Sequence, residues 1–292
     1  MPKKEKIIIL GSSGQLGSEL SNNSHLIKHF KVHSFNRKDC DIVNFKKVKL
    51  KINEIEPSYI INCAAYTAVD QAEIDRDNAE LVNSTAVENL AILCKKMNIT
   101  LIHFSTDYVF NSKSPQPIKE SSAKSPINFY GLTKHLGEEK IFKNCKKFFL
   151  FRISWVYGKY GENFPKKIIE QLIKKKDLKI VNDQFGSPTP TSLISMVVGK
   201  ILANEKLNTK YGVYHISPDN KCSWFDIAEK INLRFNTFAN KIQATSSSKY
   251  KSNAKRPKYS YLDNALLKKT FKIKIMEWDF YMDDFLDDIN DE

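Results

Sequence analysis

Apolar and polar positions in the first half of the chain are arranged in blocks. KIIIL (6–10), KVHSF (31–35), YIINCA (59–64), TLIHFS (100–105) and FFLFRIS (148–154) are short runs rich in apolar residues. Amphipathic stretches lie between them, among them one opening after the glycines that follow Leu10, LVNSTAVENLAILCKKM (81–97), and one near 128–144. Continuous apolar runs suit strands buried on both faces of a parallel sheet, and the intervening helices supply the crossovers. The βαβα rhythm therefore predicts an α/β fold, a Rossmann-like doubly wound parallel sheet.

After Trp155 the texture is less regular. A helix is expected over 163–176, a short strand at LKIVND (178–183), an irregular loop at QFGSPTP (184–190), and helices near 191–203 and 223–234. No repeat or low-complexity linker intervenes, so the second half reads as a smaller C-terminal α/β lobe packed on the first.

The stretch IIILGSSGQLGSEL (7–20) carries glycines at Gly11, Gly14 and Gly17 between the first strand and a helix. In that geometry backbone N–H groups and the helix dipole face a pyrophosphate, and glycine lets backbone and ligand approach closely. The spacing is G-x-x-G-x-x-G, whereas the commonest dinucleotide fingerprint is G-x-G-x-x-G. At the end of the second strand a carboxylate would bind a ribose 2′-OH and an arginine would grip a 2′-phosphate. This strand ends S-F-N-R-K (34–38), with no carboxylate before Asp39 and Asp41. Arg37 thus favours NADPH, with NADH still open, because a planar guanidinium suits phosphate.

Composition narrows the field. The 292 residues carry a formal charge of +13, but the lysines are spread along the chain and do not form a nucleic-acid-binding stripe. The 5 cysteines (Cys40, Cys63, Cys94, Cys145, Cys222) are scattered and never spaced C-x-x-C, so neither a disulfide framework nor a zinc site is signalled. His25, His29 and His33 recur every fourth position, yet the last falls in an expected strand and no carboxylate joins them, so no metal is expected. The apolar runs are too short for a signal peptide or a membrane span, which points to a soluble, cytoplasmic protein with neither membrane nor nucleic-acid partners. The acidic end DDFLDDINDE (283–292) reads as a solvated helix or a frayed tail.

NFYGLTKHLGEE (128–139) places Tyr130 and Lys134 at i, i+4 on one helix face. An adjacent ammonium favours a phenolate and lowers its pKa, so the pair can protonate a carbonyl oxygen as hydride arrives. STDYVF (105–110) follows a strand and offers hydroxyls at Ser105 and Thr106 where a parallel sheet forms its crevice.

The glycine turn, YIINCAAYTAVDQAE, HFSTDYVF, YGLTK, FRISWVYG, NDQFGSPT and KRPKYSYLD follow one another in an order that resembles the extended short-chain dehydrogenase/reductases, and within them the sugar-nucleotide reductases. The resemblance runs from about residue 6 to 285. It implies NAD(P)H-dependent reduction of the C4 ketone of a dTDP-linked 6-deoxy sugar, dTDP-4-dehydro-L-rhamnose to dTDP-L-rhamnose. It assigns residues 1–155 to an NAD(P)-binding domain. Residues 156–292 become mainly a substrate-binding lobe, with some elements returning to the first domain. A homodimer is compatible with it.

Carried over residue by residue, the resemblance makes Tyr130 the proton donor, Lys134 the ribose-binding and pKa-lowering lysine, and Thr106 the partner of the reacting oxygen. Gly14, Gln15 and Leu16 match the pyrophosphate turn, which Gly11 and Gly17 complete. Asp41 and Ile42 match positions beside the adenine. Ala64, Ala65, Tyr66 and Thr67 match the loop after the fourth strand, along the cofactor. Asp107 and Trp155 match positions at the sugar nucleotide, and Gln184, Thr189 and Arg256 lie in segments placed around it, with Arg256 expected to reach the diphosphate.

Dehydratases of the wider group carry an Asp-Glu pair after the threonine, since eliminating water needs an additional acid and base. Here Asp107 precedes Tyr108, which argues against dehydration. A related epimerase, which shares the tyrosine and lysine, stays open. So does a non-catalytic NADP-binding subunit resembling the methionine adenosyltransferase β subunit.

Overall fold

The structure, a computed structural model, describes residues 4–235 and 241–290. In chain order the first half runs β1 (Lys6–Leu10), α1 (Gln15–Ser21), α2 (Ser24–His29), β2 (Lys31–Phe35), α3 (Phe45–Ile55), β3 (Tyr59–Asn62), α4 (Arg76–Glu80), α5 (Ala86–Lys96), β4 (Thr100–Thr106), α6 (Phe129–Asn144) and β5 (Phe148–Ile153). The second half runs β6 (Val156–Tyr157), α7 (Phe164–Ile173), β7 (Leu178–Val181), β8 (Phe185–Gly186), β9 (Thr189–Pro190), α8 (Thr191–Leu202), β10 (Gly212–His215), β11 (Cys222–Ser223), α9 (Trp224–Phe235), β12 (Ile242–Thr245), β13 (Tyr259–Ser260), α10 (Ala265–Phe271) and α11 (Trp278–Asn290).

Six strands, in the order β10-β5-β4-β3-β1-β2, pair in parallel as the central sheet. Successive side chains on each strand go to opposite faces. Ile7, Ile9, Ile61, Ile102, Phe149 and Phe151 join one buried cluster with residues of α1, α2, α8 and α10. Ile8, Leu10, Ile60, Leu101 and Leu150 join another with α3, α5 and Ile141 of α6. That double burial is why these runs are continuously apolar. β10 extends the sheet beside β5, so part of the second half of the chain builds the same layer as the first.

Three elements differ from expectation. The loop carrying Ala64–Thr67 follows the third strand of this chain, because α3 alone connects β2 to β3 and β2 is the sheet edge. The helix expected over 81–97 begins as a π turn, Leu81–Thr85, before α5. QFGSPTP is partly strand: β8 pairs with β11 and β13, and β9 pairs with β6.

A third cluster, with Tyr157, Ile168, Leu172, Ile227, Ile231, Met282, Phe285 and Leu286, joins α7, α9 and α11. The acidic end is therefore not simply solvated: DDFLDDIN belongs to α11, whose Phe285 and Leu286 are core residues, while residues 291–292 lie outside the described residues. Among the described residues no helix is long and apolar enough to cross a membrane.

Candidate active site

Strand order reverses at β1, which has β2 on one side and β3 on the other. Crevices form at such a switch point, beyond the carboxyl ends of the strands. The cleft found there is lined by Gly11, Gly14, Arg37, Asp41, Ile42, Ala64, Ala65 and Tyr66, along with Ser13, Cys40, Cys63 and Val82. Gly11 has φ +78, and a Cβ on it would lie 2.7 Å from the Ala64 nitrogen, so only glycine lets the two loops meet. Gly14, which lines the cleft, caps α1 in extended conformation and without a side chain, which leaves the first-turn amides without a side-chain cap.

The remaining residues of the glycine stretch act differently. Leu16 points into the core beneath α1. A Cβ on Gly17 would lie 2.1 Å from the Gly11 carbonyl oxygen, so this glycine serves helix-to-turn packing. Gln15 accepts a hydrogen bond from Asn163 at 3.2 Å, which draws the segment before α7 over the turn. Thr67 is exposed and does not line the cleft. At the rim Arg37 is 81% exposed and pairs with Asp41 at 3.0 Å. Screening makes such a pair weak, so the guanidinium can exchange the carboxylate for a phosphate at little cost.

A nicotinamide dinucleotide fits these residues. The glycine turn approaches a diphosphate with backbone only, Ile42 and Ala64 offer an apolar bed, and Arg37 offers a cation.

The chemical groups gather at the end of β4. Thr106, its last residue, donates to Asp107 at 2.9 Å and accepts from the Tyr108 amide at 3.2 Å. The Tyr130 phenol lies beside the same Thr106 hydroxyl. α6 enters this corner with a fixed start. Asn128 caps it by accepting from the Gly131 amide at 2.7 Å, and its amide group donates to the Lys255 carbonyl at 2.8 Å. Glu73 takes the Phe129 amide at 2.8 Å.

Lys134 shares the helix face of Tyr130, and its contacts go to β4. Its Nζ donates to the Phe104 carbonyl at 2.7 Å and lies 3.5 Å from Nε2 of His103. Burial lowers its pKa to about 8. The phenol of Tyr130 is shifted upward, not downward: desolvation outweighs the influence of the Thr106 hydroxyl, and the Asp107 carboxylate adds to the rise. Asp107, buried in the same corner, is raised to about 6 by desolvation against its hydrogen bond with Thr106.

Of the residues expected at a sugar nucleotide, the structure brings Asp107 and Arg256 to this corner. Tyr108 meets Tyr130 edge to face, with ring centroids 5.7 Å apart, where a dehydratase would need its second carboxylate. Arg256 is held by Asp70. Trp155, at φ +48, stacks on Trp224 with ring centroids 3.7 Å apart and closes against Gly186. Gln184 is half-buried just before β8. Thr189 does not line the dinucleotide cleft: it is fully buried in β9, which pairs with β6, and its hydroxyl donates to the Ser187 carbonyl.

Sequence reasoning missed Asn83. From the π turn its side chain accepts from the Tyr66 amide at 2.9 Å and donates to the Tyr66 carbonyl at 3.0 Å and to Thr133 at 3.1 Å. One amide thus ties the cleft loop to α6. The π turn is what aims it there, a recurrent use of such turns at functional sites.

Residues 5–290 match the family model of the RmlD substrate binding domain. The chain is 34% identical over 284 residues to dTDP-4-dehydrorhamnose reductase of Escherichia coli (strain K12), covering 93% of this chain and 94% of that one. It is 33% identical over 259 residues to the spore coat polysaccharide biosynthesis protein SpsK of Bacillus subtilis, covering 89% of each. The solved structure of dTDP-4-dehydrorhamnose reductase from Bacillus anthracis in complex with NADP superposes with a TM-score of 0.92 at 35% identity, covering 98% of this chain and 99% of that one. With a family model spanning nearly every residue and relatives matched end to end, the chain belongs to the dTDP-4-dehydrorhamnose reductase family, that of the RmlD substrate binding domain.

Proposed function

We propose that the protein reduces the C4 ketone of a dTDP-linked 6-deoxy sugar with NADPH, converting dTDP-4-dehydro-L-rhamnose to dTDP-L-rhamnose. The observation that carries this reading is the meeting of Thr106, Tyr130 and Lys134 at the end of β4, beside a cleft suited to a dinucleotide. The bound nicotinamide supplies the hydride. Tyr130 donates its phenolic proton to the ketone oxygen as negative charge develops there. Its raised pKa keeps the proton on the phenol until an oxyanion demands it. Thr106, beside the phenol, offers the same oxygen a second polar contact. Lys134, anchored on the Phe104 carbonyl, holds the ribose side of the cofactor and steadies the phenolate left behind.

Arg37 selects the 2′-phosphate, and Asp107, Trp155, Gln184 and Arg256 contact the sugar nucleotide. Five free thiols suit a reducing compartment, and we place the protein in the cytoplasm.

The test is incubation with 4-deuterated NADPH and dTDP-4-dehydro-L-rhamnose. Deuterium at C4 of a dTDP-rhamnose product is expected. Tight cofactor binding without oxidation on any keto-sugar nucleotide would overturn the reading.

A further inference from the structure

Just past the end of β5 the backbone takes a conformation that its side chain disfavours. Trp155 has φ +48, and every other non-glycine residue with positive φ among the described residues is polar. A bulky residue persists there only where its surroundings over-determine it, and such positions gather at ligand clamps. Two hydrogen bonds pin the backbone. The Ser154 hydroxyl donates to the Ser187 carbonyl at 2.9 Å, and the Trp155 carbonyl accepts from the Thr189 amide at 3.3 Å.

The indole is held as closely. One small sheet, β11-β8-β13, delivers the groups that surround it. β8 contributes Gly186, where a Cβ would lie 2.7 Å from Cε2 of Trp155 and 2.9 Å from the Ser260 hydroxyl oxygen. β13 contributes that Ser260, which stands opposite Gly186 in register and lies beside the Asp107 carboxyl. β11 leads directly into Trp224, the first residue of α9, whose ring lies within 11° of parallel to Trp155 with centroids 3.7 Å apart. Phe164, at the start of α7, packs edge to face on Trp224 at 4.6 Å and braces it. Both indoles remain half-buried. Ile153 stands opposite Thr106 in the β4–β5 pairing, so Trp155 is two residues beyond the corner that holds the chemical groups.

We propose that Trp224 is a positioning residue for the sugar nucleotide: its stack on Trp155 fixes that indole on the Asp107 side of the site, in the orientation that meets the sugar. The proposal rests on the assignment of Trp155 to the sugar nucleotide made above. An indole and a carboxylate together suit a sugar, since the ring takes its C–H surface and the carboxylate accepts from its hydroxyls. Fixing the ring beforehand removes the ordering cost that a loose side chain would add on binding. Glycine at 186 serves the same end, because a side chain there would collide with the indole.

The chain has three tryptophans, Trp155, Trp224 and Trp278, so fluorine NMR of 5-fluorotryptophan-labelled protein can follow each, with the Trp155 signal assigned through Trp155→Phe. In the parent that signal should move when dTDP-L-rhamnose binds. In Trp224→Leu it should be displaced before any ligand is added, because the ring current of the stacked indole is gone. The same variant should raise KM for the sugar nucleotide about three- to tenfold. Its kcat and its Kd for NADPH should stay within about twofold of the parent. Trp224→Phe, which restores a flat ring, should recover most of the KM.

A Trp155 signal unmoved by Trp224→Leu, or an unchanged KM, would overturn the proposal. So would a KM that Trp224→Phe does not recover, by showing that only the packing of α9 is at stake. A parent that does not bind dTDP-L-rhamnose would strike the reductase reading and the proposal with it. A parent that binds it while the Trp155 signal stays still would strike the placement of Trp155 and the proposal, and leave the reductase reading standing.

Discussion

Arg256 closes on Asp70 through two contacts, Nη2 to Oδ2 at 2.5 Å and Nη1 to Oδ1 at 3.3 Å, tying the segment before β13 to the loop after β3. The same carboxylate takes the Ala254 amide at 3.0 Å, and the guanidinium reaches the Tyr108 side chain, which packs on Tyr130. Arg256→Ala is expected to raise KM for the sugar nucleotide about tenfold or more, while the Kd for NADPH stays within about twofold. Steady-state kinetics with cofactor titration checks this. An unchanged KM would leave the arginine only its structural bond to Asp70.

Tyr130→Phe removes the proton donor and little else, since the ring keeps its contact with Tyr108. It should leave cofactor affinity near the parent value and lower kcat by about two to four orders of magnitude. Activity within a few-fold of the parent would remove Tyr130 from that role.

Because Arg37 is mostly exposed and its partner is a surface carboxylate, Arg37→Ala should leave the melting temperature unchanged. Its effect belongs to cofactor choice: KM for NADPH should rise more than KM for NADH. Equal changes for the two cofactors would sever Arg37 from the 2′-phosphate.

Two glycines of the turn should separate folding from binding. A Cβ at Gly17 would sit 2.1 Å from the Gly11 carbonyl oxygen, whereas one at Gly14 meets that atom at 3.5 Å, ordinary contact. Gly17→Ala should lower the melting temperature by several degrees, since overpacking of this kind costs about 1–3 kcal/mol. Gly14→Ala should fold normally and lose cofactor affinity at the diphosphate. Thermal denaturation and fluorescence titration of the pair decide it.

Asp107 supplies a pH test. Its folded pKa of about 6 lies above the ordinary 3.8, so the folded state holds the proton more tightly than the unfolded chain. The stability that follows is present below 3.8 and lost as pH rises from there through about 6. Across that window it falls by about 1.4 kcal/mol for each pH step of one. Asp107→Asn escapes that loss. Its stability relative to the parent should therefore improve by about 1–3 kcal/mol between pH 4 and pH 7 in denaturant titrations. A constant difference would mean that Asp107 titrates normally.

The amino-acid sequence by itself determined what depends on short spacing. Runs such as IIIL and the YII of β3 are apolar at successive positions because both faces of a parallel sheet are covered, so the strands and the doubly wound class were legible. The glycine turn was legible because a βα corner needs its glycines a few residues apart. Tyr130 and Lys134 were legible as a pair because 3.6 residues make a helical turn.

Only the tertiary structure decided what those groups touch. The partners of Lys134 come from β4, and Asn62 reaches His103 across 41 residues because β3 and β4 are neighbours in the sheet. Asp70 and Arg256 meet across 186 residues. Asn83 is aimed by a π turn inside a stretch whose pattern reads as ordinary helix. The directions in which the pKa values move were equally beyond local reading. The i, i+4 spacing suggests a lowered phenol, yet desolvation of the corner raises it and lowers the lysine. Burial is a property of everything packed around a group, and that assembly comes from strand order and long-range contacts, which no short stretch of sequence encodes.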